Sequence, residues 1–226
     1  MYQERPSRIT GSVAWTTTVG DEPIRVLPDG CIDLIWCDDG TCFVAGPDTR
    51  PNLFLGTAGS RLVGLRFAPG FGPRVIGLPA GELTDHRVSI DDVWPAADAQ
   101  RTVERLRQSS SPVDVLEDIA VEHADPATGG GLIDDVVAMA RRGDGVARIA
   151  DVVGLSDRQL QRRCRDAFGY GAKTLAKILR MNRAVSLARD GIGFAATAAA
   201  TGYADQAHLA RDVRTLTGLT LRELLR

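Results

Sequence analysis

The chain has 226 residues, 44% of them hydrophobic and 25% charged, and a formal net charge of -2. This is the composition of an ordinary globular protein, long enough for one large domain or two small ones. No apolar run approaches the ~20 residues of a membrane-spanning helix. Four cysteines, Cys31, Cys37, Cys42 and Cys164, do not make a disulfide framework and are expected as free thiols.

Residues 1–6 lack the basic-then-apolar layout of a secretory signal, so a cytoplasmic location is the expectation. Up to residue 95, short apolar runs at Ser12–Trp15, Ile24–Leu27, Cys31–Cys37, Thr41–Ala45, Leu62–Phe67 and Val75–Leu78 read as strands. Pro28-Asp29-Gly30, Asp38-Asp39-Gly40, Gly46-Pro47-Asp48 and Pro69-Gly70 separate them. Strand runs broken in this way by Gly, Pro and Asp predict a barrel or a sandwich.

The pattern changes after Trp94-Pro95. Val103 and Leu106 are helically spaced within Asp98–Gln108, and Val115, Leu116, Ile119 and Ala120 share a face within Val113–His123. These two predicted helices either pack on the β-rich part or form a dimer seam, and monomer and homodimer both stay open. The run Pro126–Gly131 reads as a linker. The expected division is a regulatory, effector-binding or dimerising domain over 1–128 and a second domain over 129–226.

From Leu132 the chain reads as all helix. Leu132, Val136, Val137 and Ala140 form one apolar stripe; Val146, Ile149, Ala150 and Val153 form the next. A longer helix carries Leu175, Ile178, Leu179, Ala184, Leu187 and Ala188. Around it one pattern occurs twice. A short apolar helix from Val146 turns at Gly154, and Ser156 caps an amphipathic helix rich in Arg and Gln that ends at Phe168. A second from Phe194 turns at Gly202, and Asp205 caps the helix from Gln206 to Leu216. This is the outline of a helix-turn-helix, whose second helix can enter the DNA major groove.

The charge follows the same division. Residues 141–226 hold 16 Lys and Arg against 8 Asp and Glu, while the first 140 hold 11 against 21. A basic end suited to nucleic acid is thus joined to an acidic part with another task.

Over Leu132–Arg226 the sequence resembles the bacterial AraC/XylS family of transcription regulators. The resemblance rests on Ile149-Ala150, Gly154-Leu155-Ser156, Leu160, Arg162 and Gly169, then Arg180–Ala184 and Leu187-Ala188. It continues through Ala198, Gly202-Tyr203, Asp205, His208-Leu209, Arg211 and Gly218–Thr220. Ala172 and Leu221 stand where the family has proline, and Cys164 and Val213 where it has phenylalanine. The resemblance implies two subdomains bridged by a long helix, with recognition helices in successive major grooves about one turn (~34 Å) apart.

Carried onto this chain, the implied DNA-facing residues are Arg158, Gln161, Arg162 and Arg165 in the first unit and Gln206, His208, Arg211 and Arg214 in the second. Arg pairs bidentately with guanine and Gln with adenine, while Arg165 and Arg214 sit late enough to meet phosphate. Arg162 and Arg211 have a competing role, bracing their own subdomain through a carboxylate. Activation through contact with RNA polymerase is implied by the resemblance alone. In the first half, Leu27–Leu34, Ala45–Pro51 and Arg66–Gly70 resemble an uncharacterised domain found ahead of AraC-type modules, which implies a sensory or dimerising role and names no ligand.

Other residues carry rival readings. Cys31, Cys37 and Cys42 flank a predicted hairpin and would make a thiolate metal site or redox sensor if they converged; as buried small apolar residues they need no such role. Cys31 with His86 would be the one route to a nucleophilic enzyme, and no nucleophile motif surrounds it, so an enzyme is not expected and no cofactor is. His123 reads as a partner for a helix C-terminus. Asp29, Asp33, Asp48, Arg50, Arg66 and Trp36 are candidates for an effector pocket, with Asx turns and core packing as the alternatives.

The fold class expected is α+β in two domains: a β-rich barrel or sandwich with trailing helices, then an all-α domain with two helix-turn-helix units joined by a long helix. The function expected is a sequence-specific DNA-binding regulator with double-stranded DNA as partner and a small-molecule effector as a further one. The rivals are a thiol- or metal-responsive regulator and a basic helical scaffold for an acidic protein.

Overall fold

A computed structural model describes residues 2–125 and 130–226. The first half is built on a six-stranded antiparallel sheet. Its strands are β1 (Gln3–Pro6), β2 (Val13–Thr18), β4 (Asp33–Cys37), β5 (Cys42–Ala45), β7 (Arg61–Arg66) and β8 (Arg87–Ser89), ordered β1-β2-β7-β4-β5-β8. A second, two-stranded sheet pairs β3 (Ile24–Val26) with β6 (Asn52–Phe54). Alternation along the strands sorts side chains onto two faces. Leu34, Trp36, Cys42, Val44, Val63 and Leu65 point to one core, and Trp15, Ile35, Cys37, Ala45 and Leu62 to another, against which Ile24, Phe43 and Phe54 of the second face pack.

Helices cover the first of these faces: α1 (Gly72–Ile76), α2 (Ala80–Leu83), α3 (Ala96–Gln108) and α4 (Pro112–His123). Leu106, Leu116, Ile119 and Ala120 are buried against the sheet, so the two longer helices pack on it. The run Val75–Leu78, expected as a strand, lies in and just after α1. Four apolar residues carry no period that separates strand from helix, and Pro73 at the first turn favours the helix.

The segment after β1 is tied to α4 through Glu117, whose side chain is fully buried. Arg5 and Arg8 reach its two carboxylate oxygens at 3.0 and 2.9 Å, and the Arg8 backbone N–H donates to it at 3.0 Å. Burial alone would raise this carboxyl, but hydrogen bonds from Arg5, Ser7 and Arg8 outweigh it and hold it at about 2. A carboxyl depressed in the folded state stabilises fully above its unfolded value near 4.5 and loses that contribution as pH falls toward 2. Glu117→Ala is therefore expected to cost roughly 3 kcal/mol at pH 7. Urea midpoints measured from pH 7 to pH 3 check this, since the variant loses less stability with acid than the parent; parallel curves contradict it.

The second half is all helical: α5 (Leu132–Arg142), α6 (Val146–Val152), α7 (Asp157–Phe168), α8 (Ala172–Arg189), α9 (Phe194–Ala200), α10 (Gln206–Thr217) and α11 (Leu221–Leu224). One core runs from Ile133 to Leu221. Leu160, Cys164 and Ala167 of α7 and Leu209, Val213 and Leu216 of α10 face inward as expected. In α8 the buried set is Ala172, Leu175, Ile178, Met181, Ala184, Val185 and Ala188. Leu179 and Leu187 are only half-buried, because α8 also turns a side toward the first domain, where Leu179 and Asn182 line a cleft. Of the expected linker Pro126–Gly131, residues 126–129 and with them the boundary between 128 and 129 lie outside the described residues, Gly131 directly precedes α5, and the boundary is a proposal.

The two halves meet along α7 and α8. Thr84 Oγ1 donates to the Gly169 carbonyl at the end of α7 (3.2 Å), Asn182 Nδ2 to the Pro28 carbonyl (3.2 Å), and Arg25 Nη1 to the Thr217 carbonyl at the end of α10 (3.4 Å). Gly169 ends α7 in the left-handed conformation, φ 81°. A side chain there would overlap Thr84 Oγ1 and reach within 2.8 Å of Pro47 Cγ. Gly70, also left-handed, lets its loop approach so closely that a Cβ would lie 2.5 Å from Ile133 Cγ2 and 3.0 Å from Phe168 Cε1.

Candidate nucleic-acid interface

Both expected recognition helices begin at side-chain caps. Ser156 and Gln159 form a reciprocal capping box: the Gln159 N–H donates to Ser156 Oγ, and the Ser156 N–H to Gln159 Oε1 at 2.9 Å. The His208 N–H donates to Asp205 Oδ1 at 2.6 Å. The caps satisfy amide groups left open at helix starts and fix where each helix begins. They also fix which residues point out.

On α7, Arg158, Arg162 and Arg165 fall at intervals of four and three and share one exposed face. None forms an ion pair among the described residues. Gln161 is also exposed, but its amide folds back over the Gly171 backbone that starts α8.

On α10, Gln206, Arg211 and Arg214 are exposed. His208 is half-buried, edge-on to the Tyr203 ring with centroids 5.1 Å apart, and its Nδ1 accepts from the Ala204 N–H. Its packing role is the one on view. The bracing foreseen for Arg162 and Arg211 belongs instead to α8. Arg180 and Lys177 pair with Asp212 of α10 at 2.9 and 3.4 Å, and the Arg180 guanidinium stacks on Tyr203. The signal was present as Arg180 in the long helix, but its partner lies 32 residues on, beyond the reach of helical periodicity.

Between the domains lies a cleft of about 640 Å³. Its walls are Tyr2, Trp15, Ile24, Phe43, Phe54 and Leu62 from the sheets, with Asn182, Val185, Ser186 and Arg189 from α8. Of the effector candidates, Asp29, Asp33 and Arg66 line it. Register explains part of this, since Asp33 of β4 lies directly across from Arg66 of β7. Arg66 Nε reaches Asp29 at 3.1 Å and Asp33 at 3.4 Å, and Trp15 Nε1–H donates to Asp33 at 2.6 Å. The Asp33 carboxylate and burial act oppositely on Arg66, and the former wins, so its guanidinium is held firmly protonated.

The other candidates do not join them. Asp48 is tied to Arg87 at 2.7 Å, and Arg50 is exposed outside the cleft lining. Trp36 faces the helix-side core, the packing alternative, and its indole N–H has no partner among the described residues.

The cysteines do not converge. Cys37 and Cys42 belong to cores on opposite faces of the sheet, and Cys31 precedes β4. Strand alternation separates them. Among the described residues no group of three or more His, Cys, Asp or Glu could hold a metal ion. His86 is exposed and bonded to the Thr84 carbonyl, and His123 stacks on Trp94 with centroids 4.1 Å apart.

Two capped helix-turn-helix units joined by a long helix, each presenting basic side chains outward, define a DNA-binding transcription regulator. Residues 149–226 match the helix-turn-helix domain family, and residues 12–89 match a domain of unknown function, DUF6597. The chain thus carries an AraC-type helix-turn-helix domain behind that uncharacterised domain. No curated protein matches its sequence.

Among solved structures it is similar to ToxT from Vibrio cholerae, 11% identical, with 99% of this chain and 97% of that one covered and a TM-score of 0.52. The apo form of a ToxT point variant gives 11%, 97%, 98% and 0.53. ToxT bound to (E)-4-(8-methylnaphthalen-1-yl)but-3-enoic acid gives 10%, 99%, 98% and 0.51. These likenesses establish the two-domain fold. Among the described residues no helix is long and apolar enough to cross a membrane.

Proposed function

We propose that the protein regulates transcription by reading DNA through α7 and α10, under the control of a small molecule held between its domains. The observation that carries the first part is the face of Arg158, Arg162 and Arg165: three guanidinium groups in a row, exposed and in no ion pair among the described residues. Exposed cations in register suit a major groove lined by phosphates and guanine edges. Arg211, Gln206 and Arg214 supply a second, sparser face.

The control rests on the cleft, whose wall is α8, the helix that joins both reading units. It also rests on Arg25, which lines the cleft and donates to the last turn of α10. That one solved ToxT structure holds a small organic acid supports a ligand-controlled reading without fixing the ligand. Activation, by contact with RNA polymerase, is the mode we assign.

Selection of preferred sites from random duplex DNA with the full chain tests the reading. Enrichment of a site with two informative blocks about one helical turn apart is expected. Salt-sensitive binding to any polyanion, with no preferred site, overturns it in favour of a basic scaffold for an acidic partner.

A further inference from the structure

The two reading helices are held to α8 in different ways. α7 runs into it through residues 169–171 alone, and the Gln161 amide lies close over the Gly171 backbone at the junction. The orientation of α7 follows from the chain. α10 has no such link, because α9 and the turns around it separate α10 from the end of α8. Its angle to α8 has to come from side chains.

Apolar packing alone holds that angle loosely, since burial has no direction. The buried residues of α9 are Thr197 and Ala198, too small to form ridges that key one helix into another. A directional tie is present instead. Lys177 and Arg180 share one face of α8, and both pair with Asp212 of α10, at 3.4 and 2.9 Å. The Asp212 side chain is only 15% exposed. Among the described residues it is the one side chain of α10 with an ion pair or hydrogen bond to α8.

Arg180 holds a second point as well. Its guanidinium lies over the Tyr203 ring, 4.2 Å from the centroid, and Tyr203 sits in the turn just ahead of the Asp205 cap. A planar guanidinium can give its face to a ring while one of its nitrogens takes a carboxylate, and a lysine cannot do both. Asp212 lies about two turns, or ~10 Å, beyond the cap. One fixed point would leave α10 free to pivot, whereas two fix its tilt.

We propose that Arg180 and Asp212 are positioning residues for DNA reading. They touch no base, and they set the angle at which α10 enters its groove, and with it the spacing between the two blocks of the site. This rests on the reading of α7 and α10 as the DNA-facing helices.

The test uses the full chain and the duplex that site selection gives it, with the distance between the blocks changed by one base pair either way. The parent is expected to bind both altered duplexes about tenfold more weakly than the original. Asp212→Ala and Arg180→Lys should lose about tenfold on the original duplex, so that their spacing preference flattens, while the base preference of the α7 block is kept. Asp212→Asn keeps an oxygen for Arg180 and should fall between them and the parent. Should Asp212→Ala not fold, the other two variants carry the test.

Binding is measured well below the melting temperature of each variant. A pair that only adds stability would lower that temperature and leave the spacing preference sharp, and this result overturns the proposal. Equal loss of base preference in both blocks overturns it too. A parent with no preferred duplex overturns the DNA reading, and the positioning role falls with it.

Discussion

Gly169→Val is expected to destabilise the full chain by on the order of 3 to 5 kcal/mol. Two costs combine. A β-branched residue in the left-handed conformation at φ 81° is strained by about 1–3 kcal/mol. Its side chain must also displace Thr84 Oγ1 and Pro47 Cγ from a packed seam, and overpacking costs roughly 1–3 kcal/mol.

Gly169→Ala should show most of the backbone cost and part of the steric one. Because the first obstacle is the Thr84 hydroxyl, Thr84→Ala should recover some of the loss, giving a coupling energy of about 0.5–1 kcal/mol in a double-mutant cycle. The measurement is the urea midpoint of the four proteins. Strictly additive losses would mean that the first domain does not rest on the end of α7.

Arg162→Ala is expected to cost about 1–3 kcal/mol on the preferred duplex and to relax the base preference at one position. The side chain is exposed, in the middle of the α7 face and in no ion pair among the described residues, so its removal leaves the fold intact and the loss falls on DNA. Arg214→Ala, near the end of α10, is the contrast: a phosphate contact there weakens all sequences alike and lowers the salt slope by about 1. Competition binding on preferred and random duplexes at several salt concentrations separates the two. Equal losses from Arg162→Ala on both duplexes would remove it from base reading.

The legible part of this sequence was the part written locally. Gly154 and Ser156 lie within three positions and specify turn and cap together, and the structure places both as read, with Gln159 completing the cap. Asp205 does the same for α10. The first half was less legible because its strands are short and paired at long range. β1 is four residues, all exposed, with a proline, and has no alternation to detect. β6 and β8 are three residues each and borrow their definition from β3 and β5.

The cleft was half legible. Asp29, Asp33 and Arg66 stood out as polar residues in apolar or turn settings. Nothing local says that Asp33 and Arg66 are cross-strand partners, or that Asn182 and Ser186 of a helix some 150 residues away close the space. The resemblance sets His208 at a reader's position, and the structure turns its ring edge-on to Tyr203, five residues earlier.

The contacts of Thr84 with Gly169 and of Arg25 with Thr217 join the first domain to the carboxyl ends of both reading helices. On the proposed reading the first domain would therefore also be a caliper, bracing α7 and α10 at points other than their joint through α8. Operator spacing would then be a property inherited in part from the β-rich half, and a lineage could retune it by altering a turn that never comes near a base.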